Sequence, residues 1–260
     1  MSKTTYIILF GSLLNGMFGC TSKFDYSPFD ANVNSSEINT NIQKSIIDMD
    51  SINSDTVKFA VISDTHLEYD ALRDAIATIN KQVGLSFVLC CGDITYRGTS
   101  KEFEWYWDKA KNSKYPIMTV IGNHDYLANG KAIYNRMFGP SNSSFQVGKY
   151  NFILFDDVVW ENDNKSPDFK WLNQTLSKKD NNILFTHIPI WCPEVSKYKQ
   201  QYDSVLNSNK LLTIISGHTH HNGDSVINKV PHYVIADIEK RQFALVSLAN
   251  SSVTLKRVSY

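Results

Sequence analysis

The sequence predicts an α/β fold in which a parallel β-sheet is buried by helices and a second sheet packs on it. From Val57 onward, short apolar runs typical of buried strands alternate with segments of helical period. Each apolar run closes on a polar cluster, and residues 223–260 form a run of short strands. With 260 residues and 42% hydrophobic content, the chain suffices for one globular domain with little left for a second.

The first part of this pattern predicts three strands and three helices in alternation. The strands cover residues 57–64 (VKFAVISD), 86–93 (SFVLCCGD) and 116–125 (PIMTVIGNHD). The helices cover residues 68–82, 102–112 and 130–139, and Gly139-Pro140 stops the last of them. Strands joined by helical crossovers run parallel, so we expect a sheet that is buried on both faces.

The second part begins with a hairpin over residues 143–157 that turns at Gly148-Lys149. It continues with a helix over 167–179, a strand over 181–189, a helix near 197–208 and a strand over 211–220. The short strands of residues 223–260 read as a meander. We expect this meander to form the second sheet.

The N-terminal segment predicts export. Residues 1–20 combine an early Lys3, a short apolar run and small residues before Cys20, which is typical of a secretory signal peptide. Residues 17–20 (MFGC) resemble the box of bacterial lipoproteins, in which the cysteine is lipid-modified and becomes the mature N-terminus. We therefore expect an exported lipoprotein that is anchored to a membrane through Cys20 and faces the periplasm or the cell surface. The alternative is a plain secreted protein with an unmodified thiol.

These features divide the chain into three predicted regions. Residues 1–20 are the signal peptide, residues 21–55 are a Ser-, Asn- and Asp-rich flexible tether, and residues 56–260 are the folded domain. The chain carries 26 acidic and 26 basic residues, so its composition gives no electrostatic case for binding nucleic acid. No nucleic-acid-binding surface is evident, and binding must come from local sites.

The polar clusters that close the strands concentrate metal-ligating side chains. Five of the seven histidines fall there, and carboxylate, imidazole and amide groups are ligands for divalent iron, manganese or zinc. In open sheets of this kind the ligand lies beyond the carboxyl ends of the strands. The clusters are Asp64-Thr65-His66, Gly92-Asp93, Gly122-Asn123-His124-Asp125, Thr186-His187 and Gly217-His218-Thr219-His220.

One stretch offers a competing chemistry. Cys91 and Arg97 stand at the C-x5-R spacing of cysteine phosphatases, where a thiolate attacks phosphorus. That mechanism needs backbone amides that converge on a phosphate dianion, and Asp93 would place a like charge inside the loop. Since Cys90 and Cys91 are adjacent on a strand, they point to opposite faces, and we expect both to be buried packing residues.

Taken in order, D-x-H, G-D, G-N-H-D, H and G-H-x-H resemble the signature of the calcineurin-like metallophosphoesterases, over the whole of Val57 to Tyr260. The resemblance implies a four-layer αββα sandwich of two mixed β-sheets flanked by helices. It also implies a phosphohydrolase, acting on diesters or monoesters, with two divalent metal ions (Mn, Fe or Zn) and a metal-bridging hydroxide as nucleophile. The alternative is a non-catalytic, metal-containing surface binding module.

The resemblance also implies the role of each ligand. Asp64, His66 and His220 would hold one metal, Asn123, His187 and His218 the other, and the Asp93 carboxylate would bridge both. A bridging carboxylate lets two cations lie roughly 3.5–4 Å apart, where they polarise phosphoryl oxygens and lower the pKa of a bound water.

The residues around these ligands have predicted roles of their own. His124 is not assigned to a metal and is therefore free to protonate the departing alkoxide, and Asp125 is expected to orient that site. Arg97 stands where the related Ser/Thr phosphatases bind phosphate, although Tyr96 replaces the second Asp of their G-D-x-V-D-R-G motif. Arg97 is thus a candidate substrate contact, the alternative being a surface arginine. Tyr96 is a less favoured candidate for a tyrosinate metal ligand.

Four further residues are open on sequence alone. Tyr126 and Trp191 each follow a cluster by a few residues and could line the substrate entrance or belong to the core. For His221 and His232, outside the ordered signature, we expect a solvated or core histidine. The residues Trp105-Tyr106-Trp107 are expected mostly to pack.

Overall fold

A computed structural model describes residues 27–49, 56–208 and 210–260. The predicted signal peptide and Cys20 therefore lie outside the described residues. Within these ranges the chain forms two β-sheets, whose strands are numbered here in chain order. They are β1 (Thr56–Ile62), β2 (Phe87–Cys90), β3 (Ile117–Thr119), β4 (Ser143–Val147), β5 (Tyr150–Leu154), β6 (Asn182–Phe185), β7 (Leu211–Ser216), β8 (Gly223–Ile227), β9 (Val230–Val234), β10 (Gln242–Ala249) and β11 (Ser252–Ser259).

The first sheet has the order β11-β10-β1-β2-β3 and the second has the order β4-β5-β6-β7-β9-β8. In the first sheet β1, β2 and β3 run parallel, while β10 pairs antiparallel with both β1 and β11. In the second sheet β5, β6, β7 and β9 run parallel, and antiparallel hairpins add β4 and β8 at the edges. Both sheets are therefore mixed.

The prediction that the C-terminal meander forms the second sheet is wrong. Its hairpin of β8 and β9 extends the second sheet, whereas β10 and β11 return to the first and pair beside β1. The parallel strands that precede the meander are also divided between the sheets. Strands β1, β2 and β3 belong to the first sheet, and β5, β6 and β7 belong to the second. Local periodicity predicts strands and their crossovers, but it does not state which sheet a strand joins.

Helices cover the outer face of each sheet. They are α1 (Ile38–Met49), α2 (Tyr69–Ile79), α3 (Ser100–Ala110), α4 (Gly130–Phe138), α5 (Phe169–Lys178), α6 (Pro193–Ser196) and α7 (Lys199–Leu206). The first four lie with the first sheet and the last three with the second. The four-layer sandwich of helices, sheet, sheet and helices is thus confirmed, as are the predicted hairpin and most of the predicted helices and strands.

Side-chain alternation along β1 shows how one strand serves two layers. Phe59 and Val61 point into the core between the sheets, whereas Ala60 and Ile62 point to the helical layer. The core between the sheets is aromatic: Phe59 stacks on Phe87 with ring centroids 4.9 Å apart and meets Phe152 of the other sheet edge-on at 5.6 Å. This packing fixes the two sheets against each other and therefore aligns the strand ends of both.

Helix α1 corrects the predicted tether. It lies inside residues 21–55, and its Ile38 and Ile46 are buried, so the prediction of a flexible tether is wrong for residues 38–49. The Asn39 amide donates to the Thr119 carbonyl at 2.8 Å and accepts from the Thr119 backbone N–H at 3.2 Å. Since β3 is an edge strand, Asn39 pairs with backbone groups on its open side, where the Tyr134 hydroxyl also donates to the Thr119 carbonyl at 2.6 Å. In the described residues, no helix has the length and apolar character needed to cross a bilayer.

Candidate metal centre

The predicted metal ligands meet at one place, where the carboxyl ends of both sets of parallel strands face each other. The loops after β1, β2 and β3 carry the ligands of the first sheet, and those after β6 and β7 carry the ligands of the second. All seven predicted ligands lie in this cluster: Asp64, His66, Asp93, Asn123, His187, His218 and His220. The site therefore spans the two sheets.

One half of the cluster contains Asp64, His66 and His220, whose ligand atoms all lie within 4.8 Å of one another. His66 Nδ1 lies 3.0 Å from the Thr95 carbonyl oxygen, and His220 Nδ1 lies 3.3 Å from a carboxylate oxygen of Asp237. Each Nδ1 therefore carries the proton that it donates, so each Nε2 holds a lone pair. The two Nε2 atoms lie only 3.4 Å apart.

The other half is built around Asn123 Oδ1. This oxygen lies 3.1 Å from His187 Nε2 and 3.1 Å from His218 Nδ1. His187 Nδ1 is 2.7 Å from the Cys91 carbonyl oxygen, to which it donates, so the ring directs Nε2 toward Asn123 and Asp93. Two carboxylates outside the predicted set fix the remaining orientations. Glu161 accepts from Asn123 Nδ2 at 3.0 Å, and Glu194 lies 3.2 Å from His218 Nε2.

Asp93 lies between the two halves. Its Oδ2 is 3.2 Å from His187 Nε2 and 3.8 Å from His66 Nε2, and its Oδ1 accepts from the His124 backbone N–H at 2.8 Å. Burial opposes its ionisation, but His187 and the neighbouring histidines outweigh burial and lower the pKa of Asp93 to about 2. The carboxylate is therefore available in the ionised form at the position that would contact cations on both sides.

The donor set fits divalent metal ions. The inward-facing atoms are carboxylate and amide oxygens and imidazole nitrogens, held 3.1–3.4 Å apart. Burial lowers the pKa of His187, but Asp93 outweighs burial and raises it to about 10, so a proton on His187 Nε2 occupies the place that a cation would take. Burial raises the pKa of Asp64 to about 6, an effect that a neighbouring cation opposes. Oxygen and imidazole ligands without thiolate suit manganese, iron or zinc.

His124 lies beside the first half of the cluster and lines a cavity of about 310 Å³. Its ring centroid is 4.8 Å from that of His66, and its Nδ1 lies 2.8 Å from the Tyr96 carbonyl oxygen. Because Nδ1 donates to that carbonyl, Nε2 is the atom through which His124 exchanges a proton. The structure thus places His124 next to the ligands with one nitrogen free of its backbone hydrogen bond.

Asp125, which the sequence predicts to orient the site around His124, lies behind the cluster. It is fully buried and accepts from the backbone N–H groups of Thr95 at 2.9 Å and Gly122 at 2.9 Å. It also accepts from the Thr95 hydroxyl at 2.8 Å. Asp125 does not line the cavity. It joins the loop that carries Asp93 to the turn that carries His124 and is therefore a positioning residue.

Of the neighbouring residues Tyr96 and Arg97, only Tyr96 lines the cavity. Tyr96 is 45% exposed and lines the cavity, and its ring lies 5.4 Å from that of His124. The Arg97 guanidinium lies 5.8 Å from the Tyr96 ring centroid, and Arg97 is exposed and does not line the cavity. The structure therefore does not bring Arg97 into the cluster.

The thiol of Cys91 faces away from the cluster. Cys91 is 0% exposed and packs between the two sheets, whereas Cys90 packs under the helices, as the strand alternation predicts. Burial raises the pKa of the Cys91 thiol well above its usual value, which opposes thiolate formation. Its backbone carbonyl, not its sulfur, contacts the site through His187.

The residues left open by the sequence are now placed. Tyr126 is buried, and its hydroxyl contacts Asp156, so it belongs to the core. His232 is buried under the half-exposed Trp191, with ring centroids 4.6 Å apart, and burial lowers its pKa to about 3. His221 is exposed. The expectations of a core and a solvated histidine are confirmed.

Sequence reasoning missed four supporting carboxylates. Asp157 accepts from the backbone N–H groups of His187 at 3.2 Å and Ile188 at 3.1 Å, and Asp237 holds His220. Both follow strands directly, so the rule that strand ends carry the site would have found them. Glu161 and Glu194 lie in segments without such a signal.

Comparison with known proteins agrees with this geometry. Residues 57–222 match the family model described as calcineurin-like phosphoesterase, and the chain belongs to that family. It is 25% identical over 183 residues to the serine/threonine-protein phosphatase CPPED1 of Homo sapiens, and 25% identical over 184 residues to that of Pongo abelii. Each match covers 57% of this chain, and the chain spans 58% of the length of these curated relatives.

Solved structures share the fold. A dimetal phosphatase from Danio rerio superposes with a TM-score of 0.61 at 14% identity, over 78% of this chain and 97% of that one. GAP50 of Plasmodium, described as the anchor in the inner membrane complex, gives a TM-score of 0.59 at 18% identity, over 78% of this chain and 84% of that one. Fold and ligand cluster together define a metal-dependent phosphoesterase domain.

Proposed function

We propose that this protein hydrolyses phosphate esters, as diesters or monoesters, with two divalent metal ions held by the seven clustered ligands. The observation that carries the proposal is the convergence of carboxylate, amide and imidazole groups from both sheets on one point, with the Asp93 carboxylate between the two groups. When bound, two such ions polarise phosphoryl oxygens and lower the pKa of a water so that it attacks phosphorus near neutral pH.

The chain's own residues supply orientation and proton transfer. Asp64, His66 and His220 would hold one cation, and Asn123, His187 and His218 would hold the other. Thr95, Asp237, the Cys91 carbonyl, Glu161 and Glu194 fix the directions of these side chains, and outer partners of this kind typically change metal affinity or activity by about 10–100-fold.

His124 is proposed as the general acid. The attacking water releases a proton to solvent, the resulting hydroxide adds to phosphorus, and the ester P–O bond breaks. The leaving oxygen takes the proton from Nε2 of a doubly protonated His124, which then regains a proton from solvent. The Tyr96 carbonyl holds Nδ1–H, so the ring presents Nε2 to the cavity without rotating. General acid catalysis of this type contributes typically about 10²–10⁴-fold.

The test compares Asp93→Asn with a matched control, Asp180→Asn. Asp180 is an exposed carboxylate before the amino end of β6, on the edge opposite the cluster. We expect Asp93→Asn to lose most of the bound metal and about a thousandfold or more of the turnover of a chromogenic phosphodiester, because a neutral amide bridges two cations poorly. Asp180→Asn should keep both. Normal turnover with two metals per chain in Asp93→Asn would refute the bridging role.

Metal dependence is measured separately. A ligand present at a hundred times its dissociation constant stabilises the fold by about 2.7 kcal/mol, so chelation should lower the melting temperature and abolish turnover. Full activity of a metal-free protein would refute the proposed function.

We further propose that export and lipid modification at Cys20 place this domain at a membrane surface. The resemblance of residues 17–20 to a lipoprotein box supports the proposal.

A further inference from the structure

The cavity beside the first half of the cluster indicates which alcohol the substrate contains. It has a volume of about 310 Å³ and is lined by Asp64, His66, His124 and His220 on the metal side. On the outer side it is lined by Leu67, Glu68, Tyr96, Asp237 and Glu239. Since His124 is the proposed acid for the leaving oxygen, the departing alcohol must lie next to it. The alcohol therefore occupies this cavity, an inference that rests on the proposed function.

At its outer side the cavity presents the carboxylates of Glu68 and Glu239, opposite the imidazoles of its metal side. Glu68 and Glu239 are exposed, and within the described part of the chain no lysine, arginine or histidine lies within ion-pair distance of either carboxylate. Asp237 is different, because it holds His220 and is also near Lys240. Of the described residues, no lysine or arginine lines the cavity.

Two carboxylates at the outer side of the cavity attract a positive charge on the alcohol. The proposed metal ions would neutralise the phosphate at the inner side, whereas a cation on the alcohol would lie next to Glu68 and Glu239. The Arg97 guanidinium lies 5.8 Å from the Tyr96 ring centroid but does not line the cavity.

The remaining wall of the cavity suits a cation with an apolar shell. Leu67 is 47% exposed and Tyr96 is 45% exposed, so a leucine side chain and a tyrosine ring face solvent at the cavity. An aromatic face attracts ammonium groups, and aromatic side chains combined with carboxylates recognise quaternary ammonium ligands. Tyr96 is held in place because its carbonyl accepts from His124 and its ring contacts those of His66 and His124.

We propose that the substrate is a phosphate ester of an amino alcohol, with an ammonium group bound between Glu68, Glu239 and the Tyr96 ring. Choline and ethanolamine esters have this chemistry. It occurs both in free phosphate monoesters and in diester headgroups. A groove that shares Leu67 and Glu68 and continues to the half-exposed Trp105 offers room for a second substituent of a diester.

The experiment uses pairs of substrates that differ only in charge. Choline phosphate is compared with 3,3-dimethylbutyl phosphate, in which carbon replaces the nitrogen, and the glycerol diester of each alcohol forms the second pair. The full-length, metal-loaded protein should prefer the charged member by about tenfold in kcat/KM, as expected for one cation–π contact and exposed ion pairs. A preference within the monoester pair points to a free phosphate ester, and one within the diester pair points to a headgroup.

The variants Glu68→Gln and Glu239→Gln should each reduce that preference about threefold, and the double variant should bring it close to one. Asp180→Asn, the remote control, should leave it unchanged. Choline should compete with substrate, whereas 3,3-dimethylbutanol should not, and the double variant should lose this inhibition. High salt should weaken the preference.

The outcomes separate this inference from the proposed function. Equal rates for the charged and neutral members of both pairs, with a chromogenic ester still hydrolysed, would overturn the amino-alcohol assignment alone. A preference that survives the double variant would overturn the roles of Glu68 and Glu239. No hydrolysis of any ester, the chromogenic one included, would overturn both.

Discussion

Gly122 allows the closest backbone approach in the site, and a single methyl group there tests how tightly Asp93 must be held. A Cβ at residue 122 would lie 2.2 Å from Asp93 Oδ1 and 2.3 Å from the Asp93 backbone nitrogen. Such atoms essentially never approach within 3.0 Å, so the Asp93 carboxylate must move by about 0.8 Å. The backbone contact prevents relief by side-chain rotation alone.

A displacement of that size is costly in a preorganised site. Misplacement by about 1 Å is associated with losses of about 10²-fold in rate, so we expect Gly122→Ala to lower kcat by about a hundredfold. Metal content should fall as well, because Asp93 lies between the two ligand groups. The assay measures kcat on a chromogenic phosphodiester, metal per folded chain and the melting temperature.

The matched control is Gly223→Ala. A Cβ at residue 223 would lie 3.6 Å from Val234, an ordinary contact, and should change neither activity nor metal content. Wild-type turnover of Gly122→Ala with two bound metals would contradict the argument, since it would mean that Asp93 does not need its present position. If the variant is too unstable to purify alone, it should be purified with excess metal, which stabilises the folded state by binding. We expect the folded fraction to return at a lower metal concentration than turnover does.

Three other predictions concern His124 and Cys91, which the structure places, and Cys20, whose role is predicted from the sequence alone. His124→Ala should keep both metals and lose orders of magnitude on an alkyl ester but far less on a nitrophenyl ester, which leaves without a proton; equal losses on both would refute the general-acid role. Cys91→Ser should keep turnover and cost about 1–3 kcal/mol of unfolding free energy, because a hydroxyl is buried between the sheets; inactive, folded, metal-replete protein would revive a thiol mechanism. Cys20→Ala should move the protein from the membrane fraction to a soluble or unprocessed form, since an acyl chain supplies about 0.8 kcal/mol per buried methylene; an unchanged distribution would indicate ordinary secretion.

The sequence predicts the ligand cluster because of where strands end. Asp64, Asp93 and His187 are far apart in the chain, yet each directly follows a buried strand, and parallel strands bring their carboxyl ends to one edge. The same rule applied to Asp157 and Asp237 would have extended the prediction to two supporting carboxylates. The sequence therefore predicts those site residues that directly follow a parallel strand.

Other features depend on contacts that leave no local pattern. Helix α1 is an exception, because Ile38, Ile42 and Ile46 recur at the i, i+4, i+8 spacing of a helix and the polar composition of the segment obscures that signal; its place is then set by Asn39 on the edge of β3. Glu161 and Glu194 act only because the fold brings them to Asn123 and His218. The division of the C-terminal strands between two sheets is of this kind too, since pairing partners are chosen by packing.

The backbone conformation explains how Asp64 and His66, only two residues apart, reach the same site, and the sequence alone does not show this conformation. Asp64 has φ = 49° and His66 has φ = 41°, both in the left-handed region that costs a non-glycine residue about 1–2 kcal/mol. The strain is held by hydrogen bonds from the Asp64 N–H to the Gly92 carbonyl at 3.1 Å and from the His66 N–H to the Asp93 carbonyl at 3.0 Å.

These bonds join the turn after β1 to the turn after β2, and Asp93 itself is left-handed, with φ = 53°. Each turn thus restrains the other, and strands buried on both faces hold the ends of both. The left-handed residues turn the chain sharply enough for Asp64 and His66 to reach one point across a single intervening residue. Two backbone hydrogen bonds and two buried strand ends therefore hold the left-handed turns that present Asp64, His66 and Asp93 to the cluster.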